Sequence, residues 1–218
     1  MPHKNNFRQH NFLDHGIAQF DSLLRTLHGK RTQVARANPA NAIPEAELSS
    51  REKNHSAGLM RVNHTGEVCA QALYQGQALT AKLPTIRAQL HAAAIEEEDH
   101  LAWCQQRLNE LNAQSSYLNP LWYGLSFGIG AGAGAISDKL SLGFVAATEE
   151  QVCKHLHEHM QSLPSNDLRS KAIVTQMYAD EAEHASFALN AGGIDFPQSV
   201  KKLMSYVATL MTWASYRL

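Results

Sequence analysis

A chain of 218 residues, 44% of them hydrophobic, is long enough for one domain with a sizeable core. Its 19 basic residues nearly balance its 20 acidic ones and are scattered, and aromatics make up only 7%, which excludes a nucleic-acid groove. The three cysteines, Cys69, Cys104 and Cys153, are odd in number, far apart and set in helical patterns, so free thiols in a reducing, cytosolic compartment are expected; Met1 to Asn11 is polar and His-rich, without the apolar segment of a signal peptide.

Phe12, Ile17, Phe20, Leu24 and Leu27 recur at helical spacing with Asp21 and Arg25 off that line, which predicts a short amphipathic helix over 12–28, ended by Gly29. Residues 30–47 carry Asn38-Pro39 and Ile43-Pro44 among small polar residues and read as an arm laid on the body. The division expected is therefore an N-terminal helix and linker arm over 1–48, with 49–218 forming the body of a single domain.

Ser49-Ser50-Arg51-Glu52 opens a long helix running to about Lys82, with Met60, His64, Glu67, Ala70, Gln71, Tyr74 and Ala78 on its inward line. Pro84 suits the first turn of the next helix, which runs to about Ala113 and turns Ala93, Ala94, Glu97, His100, Leu101 and Cys104 inward. Helix, tight turn and helix make an antiparallel hairpin. Asn119 to Ser137 follows, with Trp122, Phe127, Ile129 and a Gly-Ala run; it is uncharged from Leu121 to Ser137 but too Gly-rich and short of the roughly 20 strongly apolar residues of a membrane span. It is expected to cross over one end of a bundle.

The second half repeats the first. Leu140 to Gln161 carries Leu142, Val145, Ala146, Glu149, Val152, Cys153 and Leu156 in line, Pro164 and Ser165 break the chain, and Asp167 to Ala191 carries Glu181 and His184 among Val174, Met177, Tyr178, Ala185 and Ala188 before Gly192-Gly193. Val200 to Leu218 sets Leu203, Met204, Val207, Leu210, Met211 and Ala214 on one face, with Lys201-Lys202 before it and Tyr206, Trp213 and Tyr216 beside it. That pattern suits a helix lying in a membrane interface, and equally a core-packing helix.

Four carboxylates thus stand inside apolar stripes, where each would cost several kcal/mol unless paired or metal-bound. Glu97 and Glu181 are each followed at i+3 by a histidine; Glu67 and Glu97 lie 30 residues apart, Glu149 and Glu181 lie 32 apart, and two copies of one metal-bearing hairpin result. Glu, Glu-x-x-His, Glu and Glu-x-x-His on four helices form the ligand set of ferritin-like di-metal carboxylate bundles. The fold expected is all-α: a ferritin-like four-helix bundle with a crossover connection plus additional N- and C-terminal helices. Two divalent ions would neutralise four carboxylates, and oxygen-rich ligands with two imidazoles favour iron or manganese over zinc or copper; iron is the choice made here.

Arg61-Val62-Asn63-His64-Thr65-Gly66-Glu67, Glu97-Glu98-Asp99-His100-Leu101, Ala147-Thr148-Glu149-Glu150 and Asp180-Glu181-Ala182-Glu183-His184 resemble, in order, the four motifs of the demethoxyubiquinone hydroxylases, membrane-associated di-iron monooxygenases of ubiquinone biosynthesis. The resemblance covers about 49–218. Thr65 departs from the alanine usual there, and little effect is expected of it. The resemblance implies Glu67, Glu97, His100, Glu149, Glu181 and His184 as ligands of two ferrous ions, with Glu149 and Glu181 between the metals. It also implies dioxygen as co-substrate and hydroxylation of a polyprenyl benzoquinol that lacks one methoxy group. Expected partners are that quinol, the membrane surface on the cytoplasmic side of the cell membrane, to which the chain would attach peripherally, and other ubiquinone-biosynthesis proteins.

His64, at i−3 from Glu67, and His155 are candidates to support the ligands from behind. Glu150 has Lys154 at i+4 and reads as a solvated pair, which leaves Glu149 as the ligand. Of His155, His157 and His159 only the first and last share a face, so a solvated patch is favoured over a second metal site. Cys104 and Cys153 read as small core residues. The alternative function is a ferritin-like iron-oxidising or iron-binding protein; the apolar crossover and the Trp/Tyr-bearing last helix argue against it, because a storage shell needs a soluble outer surface.

Overall fold

The computed structural model describes residues 21–27 and 35–218. Residues 21–27 form a helical segment, α1, so the helix expected over 12–28 falls within the described residues only there, and the first part of the arm lies outside them. Six further helices follow: α2 (Ser50–Thr80), α3 (Pro84–Glu110), α4 (Asn119–Ile136), α5 (Asp138–Ser162), α6 (Leu168–Asn190) and α7 (Gln198–Arg217). The described residues are thus all-helical, a bundle of α2, α3, α5 and α6 with extra helices before and after it.

Local chemistry sets the helix starts. Ser49 and Glu52 form a reciprocal capping box on α2, the Glu52 carboxylate accepting from the Ser49 amide at 2.9 Å. Pro84 begins α3, but its cap residue Leu83 offers no side-chain acceptor. Asp138, at the start of α5, supplies it by accepting from the Lys82 and Leu83 amides at 2.9 Å each, which pins the first hairpin to the second. Ser137 and Asp167 cap α5 and α6.

The Gly-Ala crossover does not lie over one end of the bundle. It is a full helix, α4, running parallel to α2 from the Thr65–Asn119 hydrogen bond (2.9 Å) to the Thr80–Ala131 one (2.9 Å). Glycines make the contact: a Cβ on Gly76 would overlap the Phe127 carbonyl, one on Gly130 the Leu73 carbonyl, and one on Gly134 the Thr80 hydroxyl. Gly130 and Gly134 share a face at i,i+4, and close backbone packing offsets their poor helix propensity. Thr65 therefore does have a role, tying α2 to the first residue of α4.

Returned by α4 to the Thr80 end, the chain runs back along α2 as α5, then reverses into α6. Of three apolar clusters among the described residues, two fill the bundle on either side of its middle. One gathers Met60, Trp103, Cys104, Leu108, Leu156, Ile173, Val174 and Met177; the other gathers Ala70, Tyr74, Ala78, Leu90, Leu142, Val145, Ala146 and Ala188. On each of α2, α3, α5 and α6 the expected metal-binding residues fall between these clusters.

The last helix does not pack as an ordinary core element. On α7 only Ala214 and Ser215 are buried, while Leu203 (65%), Tyr206 (75%), Leu210 (60%) and Trp213 (57%) face outward. The outer stripe of α4, Leu121, Leu125, Ile129 and Ile136, is exposed too. No described helix is long and apolar enough to cross a membrane.

Candidate metal centre

Glu67 of α2, Glu97 and His100 of α3, Glu149 of α5 and Glu181 of α6 are all buried at 2% exposure or less, and His184 of α6 is nearly so. One donor atom each from Glu67, Glu97, His100 and Glu181 lies within 4.8 Å of the others. Nδ1 of His100 sits 3.1 Å from Glu97 Oε2 on its own helix and 3.0 Å from Glu181 Oε1 on α6. Nδ1 of His184 mirrors it, 3.3 Å from Glu181 Oε2 and 3.1 Å from Glu97 Oε1. The repeat in the sequence has become a pseudo-twofold site, in which Glu97 and Glu181 lie between the two imidazoles.

The two remaining carboxylates flank this centre. Glu67 lies on the His100 side at 3.8 Å. Glu149 accepts a 2.6 Å hydrogen bond from the Tyr74 hydroxyl through Oε1, and its Oε2 is buried without a hydrogen-bond partner. Of the two residues expected between the metals, Glu181 lies between the two imidazoles, where Glu97 accompanies it, and Glu149 stands to one side. The reason is geometric: Glu97 and Glu181 precede the histidines by one helical turn and share their faces, whereas Glu149 approaches from the side.

The outer nitrogens follow the same crossed pattern. Nε2 of His100 is held at 2.8 Å by Asp180, the residue before Glu181, and Nε2 of His184 at 2.9 Å by Glu96, the residue before Glu97. Carboxylates at Nε2 fix each ring with Nδ1 toward the centre. The sequence carried a signal for this, since both motifs read acid-Glu-x-x-His. Of the two candidate supporting residues, His64 is buried against the Asn119 amide at 3.3 Å, and His155 stands 3.7 Å from Glu158. Tyr178, read as part of the inward stripe of α6, is exposed. Glu150 pairs with Lys201 of α7 at 2.6 Å rather than with Lys154, so its surface position holds with a different partner.

Electrostatics describe a centre that must be neutralised. Burial, then the neighbouring Glu181 and Glu97, pushes Glu149 well above the carboxylate range; burial does the same for Glu67. Burial alone would raise Glu97 as well, but the close His100 and His184 rings outweigh it and hold this carboxyl below its usual range. Against the opposing effect of burial, contacts with Asp180, Glu181, Glu67 and Glu97 raise His100 well above its usual value, and Glu181 and Glu97 push His184 up to about 12. Without metal, protons take the place of cations. The donor set fits two divalent ions: four carboxylates match their charge, each Nδ1 faces inward, and Glu97 Oε1, Glu149 Oε2 and Glu181 Oε1 are buried with no aligned hydrogen-bond donor.

A pH dependence follows. Glu67, Glu149, His100 and His184 hold their protons more tightly folded than unfolded, so the stability they contribute is complete below the unfolded values, near 4.5 for Glu and 6.5 for His. It is lost as pH rises toward the folded values. Protein kept in chelator should therefore melt at a lower temperature at pH 8 than at pH 6. A melting point that rises between those pH values would mean that the four groups are solvated.

A narrow apolar cavity of about 30 Å³ opens beside His184 and Tyr74, walled by Leu90, Ala93, Leu142, Val145 and Phe187.

Comparison with known proteins was made on this geometry. A family profile described as "Ubiquinone biosynthesis protein COQ7" matches residues 54–215. A protein of Marinomonas sp. (strain MWYL1) named 3-demethoxyubiquinol 3-hydroxylase is 58% identical over 207 residues, covering 95% of this chain and 99% of the relative. Proteins of the same name from Pseudomonas aeruginosa (strain LESB58) and Stutzerimonas stutzeri (strain A1501) are 56% and 57% identical over 211 residues, covering 97% of this chain and 98% of each relative.

Proposed function

The chain belongs to the COQ7 family of ubiquinone-biosynthesis proteins, and from that premise we propose that it is a 3-demethoxyubiquinol 3-hydroxylase, a di-iron, dioxygen-dependent monooxygenase acting on the ring of a demethoxy polyprenyl benzoquinol. The observation that carries the reading is the buried layer in which two Glu-x-x-His pairs cross and two further glutamates flank them, between apolar cores.

Glu67, Glu97, His100, Glu149, Glu181 and His184 would hold two ferrous ions. When bound, the ions supply the electrons and Lewis acidity that activate dioxygen for insertion into the ring. The protein's own groups prepare that chemistry. Asp180 and Glu96 keep a proton on each Nε2 and so leave Nδ1 free as a donor. Tyr74 holds its proton toward Glu149 Oε1 and ties up that oxygen, and the apolar walls above and below exclude water. Iron-loaded protein given reductant, dioxygen and a demethoxyquinol should release the hydroxylated ring; binding iron without turning over this substrate would sink the assignment and favour iron handling.

The substrate's tail directs the rest of the proposal. A long-tailed quinol partitions into the bilayer, so its ring reaches a buried centre only if an apolar edge of the bundle rests on the membrane. Two helices packed on α2 offer that edge: the exposed stripe of α4 and the outward face of α7, bordered by Lys201, Lys202 and Arg217. Peripheral attachment at the cytoplasmic face of the cell membrane is the arrangement proposed. Changing Leu203, Leu210 and Met211 together to Gln should sharply weaken flotation with liposomes, and should cost more activity on a long-tailed quinol than on a short-tailed one. Undiminished flotation, or equal loss on both substrates, would place the entrance elsewhere.

A further inference from the structure

Beyond the unequal settings of Glu67 and Glu149, the pseudo-twofold symmetry of the centre is broken from outside, by the N-terminal arm. Glu96, which holds His184, is an exposed side chain (54%). Its counterpart Asp180, which holds His100, is only 14% exposed and is gripped by Gln176 at 2.9 Å and by Arg36 of the arm at 2.8 Å. Arg36 forks. Its Nε bonds Asp99 at 3.1 Å, its guanidinium lies 5.0 Å over the Trp103 ring, and its Nη2 comes within 3.2 Å of His100 Nε2.

The backbone of the arm is fastened at the same place. The amides of Ala35 and Arg36 donate to the buried Asp99 carboxylate at 2.9 and 3.1 Å, and the Trp103 indole donates to the Arg36 carbonyl at 3.4 Å. One arginine thus braces α3 to α6, the two Glu-x-x-His helices, from the His100 side only.

Resting on the di-iron reading above, we infer that Arg36 is a positioning residue that makes the two metal positions unequal. By fixing Asp180 it fixes the His100 ring, so the ion on the Glu67–His100 side binds more tightly than the ion on the Glu149–His184 side. A planar guanidinium suits the task because it meets Asp99 and Asp180 from one group in fixed geometry, which a lysine ammonium reproduces only in part. Outer partners of metal-bound histidines change affinity by about 10- to 100-fold when removed.

The test is stepwise binding of Fe(II), under anaerobic competition with a chelator, to the full-length protein and to its Arg36→Met and Arg36→Lys variants, together with melting of each variant in chelator. Wild type should show two distinct constants. Arg36→Met should weaken the tighter one by about tenfold and leave the weaker one unchanged, while the metal-free melting point falls because Asp99 and Asp180 lose their cationic partner; Arg36→Lys should recover part of both losses. Two equal constants in wild type, an unchanged tighter constant in Arg36→Met, or an equal loss at both positions would overturn the inference. The last result would make the arm merely structural. Wild type that binds no iron at all would overturn the di-iron reading itself.

Discussion

Glu181→Ala should strip the protein of most of its iron and of all ring hydroxylation. Like Glu97, this carboxylate is touched by both imidazoles, at 3.0 Å from His100 and 3.3 Å from His184. On the di-iron proposal, its loss removes a ligand and leaves three carboxylates to balance two divalent ions. The metal-free protein suffers as well, because two buried imidazoles lose a shared anionic partner, a change that costs about 3–5 kcal/mol when a buried pair is broken. Glu183→Ala, two residues on and exposed, is the control and should keep both iron and activity. The α5 pair sharpens the test. Glu149→Ala should behave like Glu181→Ala, whereas Glu150, at the surface beside Lys201, should tolerate alanine. Loss of iron in Glu150→Ala with full retention in Glu149→Ala would move the ligand one residue along α5.

Loading with iron should raise the melting temperature strongly. The carboxylates and imidazoles are brought together by packing of the two apolar cores, so the folded chain carries the full cost of their proximity whether or not metal is present. Ligand at a thousandfold excess over Kd stabilises a folded protein by about 4 kcal/mol per site. For a chain of this size each kcal/mol is about 2–4 °C. A rise of roughly 10 °C or more over protein melted in chelator is expected, with protons released as metal enters, since Glu67, Glu149 and both histidines must give them up. Equal melting points, or uptake without proton release, would show that the carboxylates are solvated and that the buried-centre argument fails.

Much of this centre was legible before the fold, and the reasons are local. A glutamate inside an apolar stripe is expensive, so Glu67, Glu149 and Glu181 announce themselves by their neighbours, and an i+3 histidine shares a face with its glutamate in any helix. Helix starts were equally visible, because Ser49 with Glu52 and Pro84 act within one turn. What periodicity could not show depended on partners far along the chain. The crossover hid its helix because glycines, poor helix formers alone, are favoured there only by the approach of α2 to Gly130 and Gly134. That Glu97 joins Glu181 between the imidazoles was not visible, because it depends on how α3 and α6 face each other, which no single helix encodes. Arg36 gave no signal either: an arginine in a polar arm is unremarkable until Asp99 and Asp180, 63 and 144 residues away, meet it. The apolar face of α7 was visible, but whether it faced a core or the outside was decided by packing.

The most direct test of the proposed di-iron centre is the iron content of the reconstituted protein together with the Mössbauer spectrum of its anaerobically reduced form. The centre described here predicts two irons per chain, both high-spin ferrous in oxygen- and nitrogen-rich surroundings. Fewer than two, or a spectrum of adventitious surface-bound iron that Glu181→Ala leaves unchanged, would contradict it.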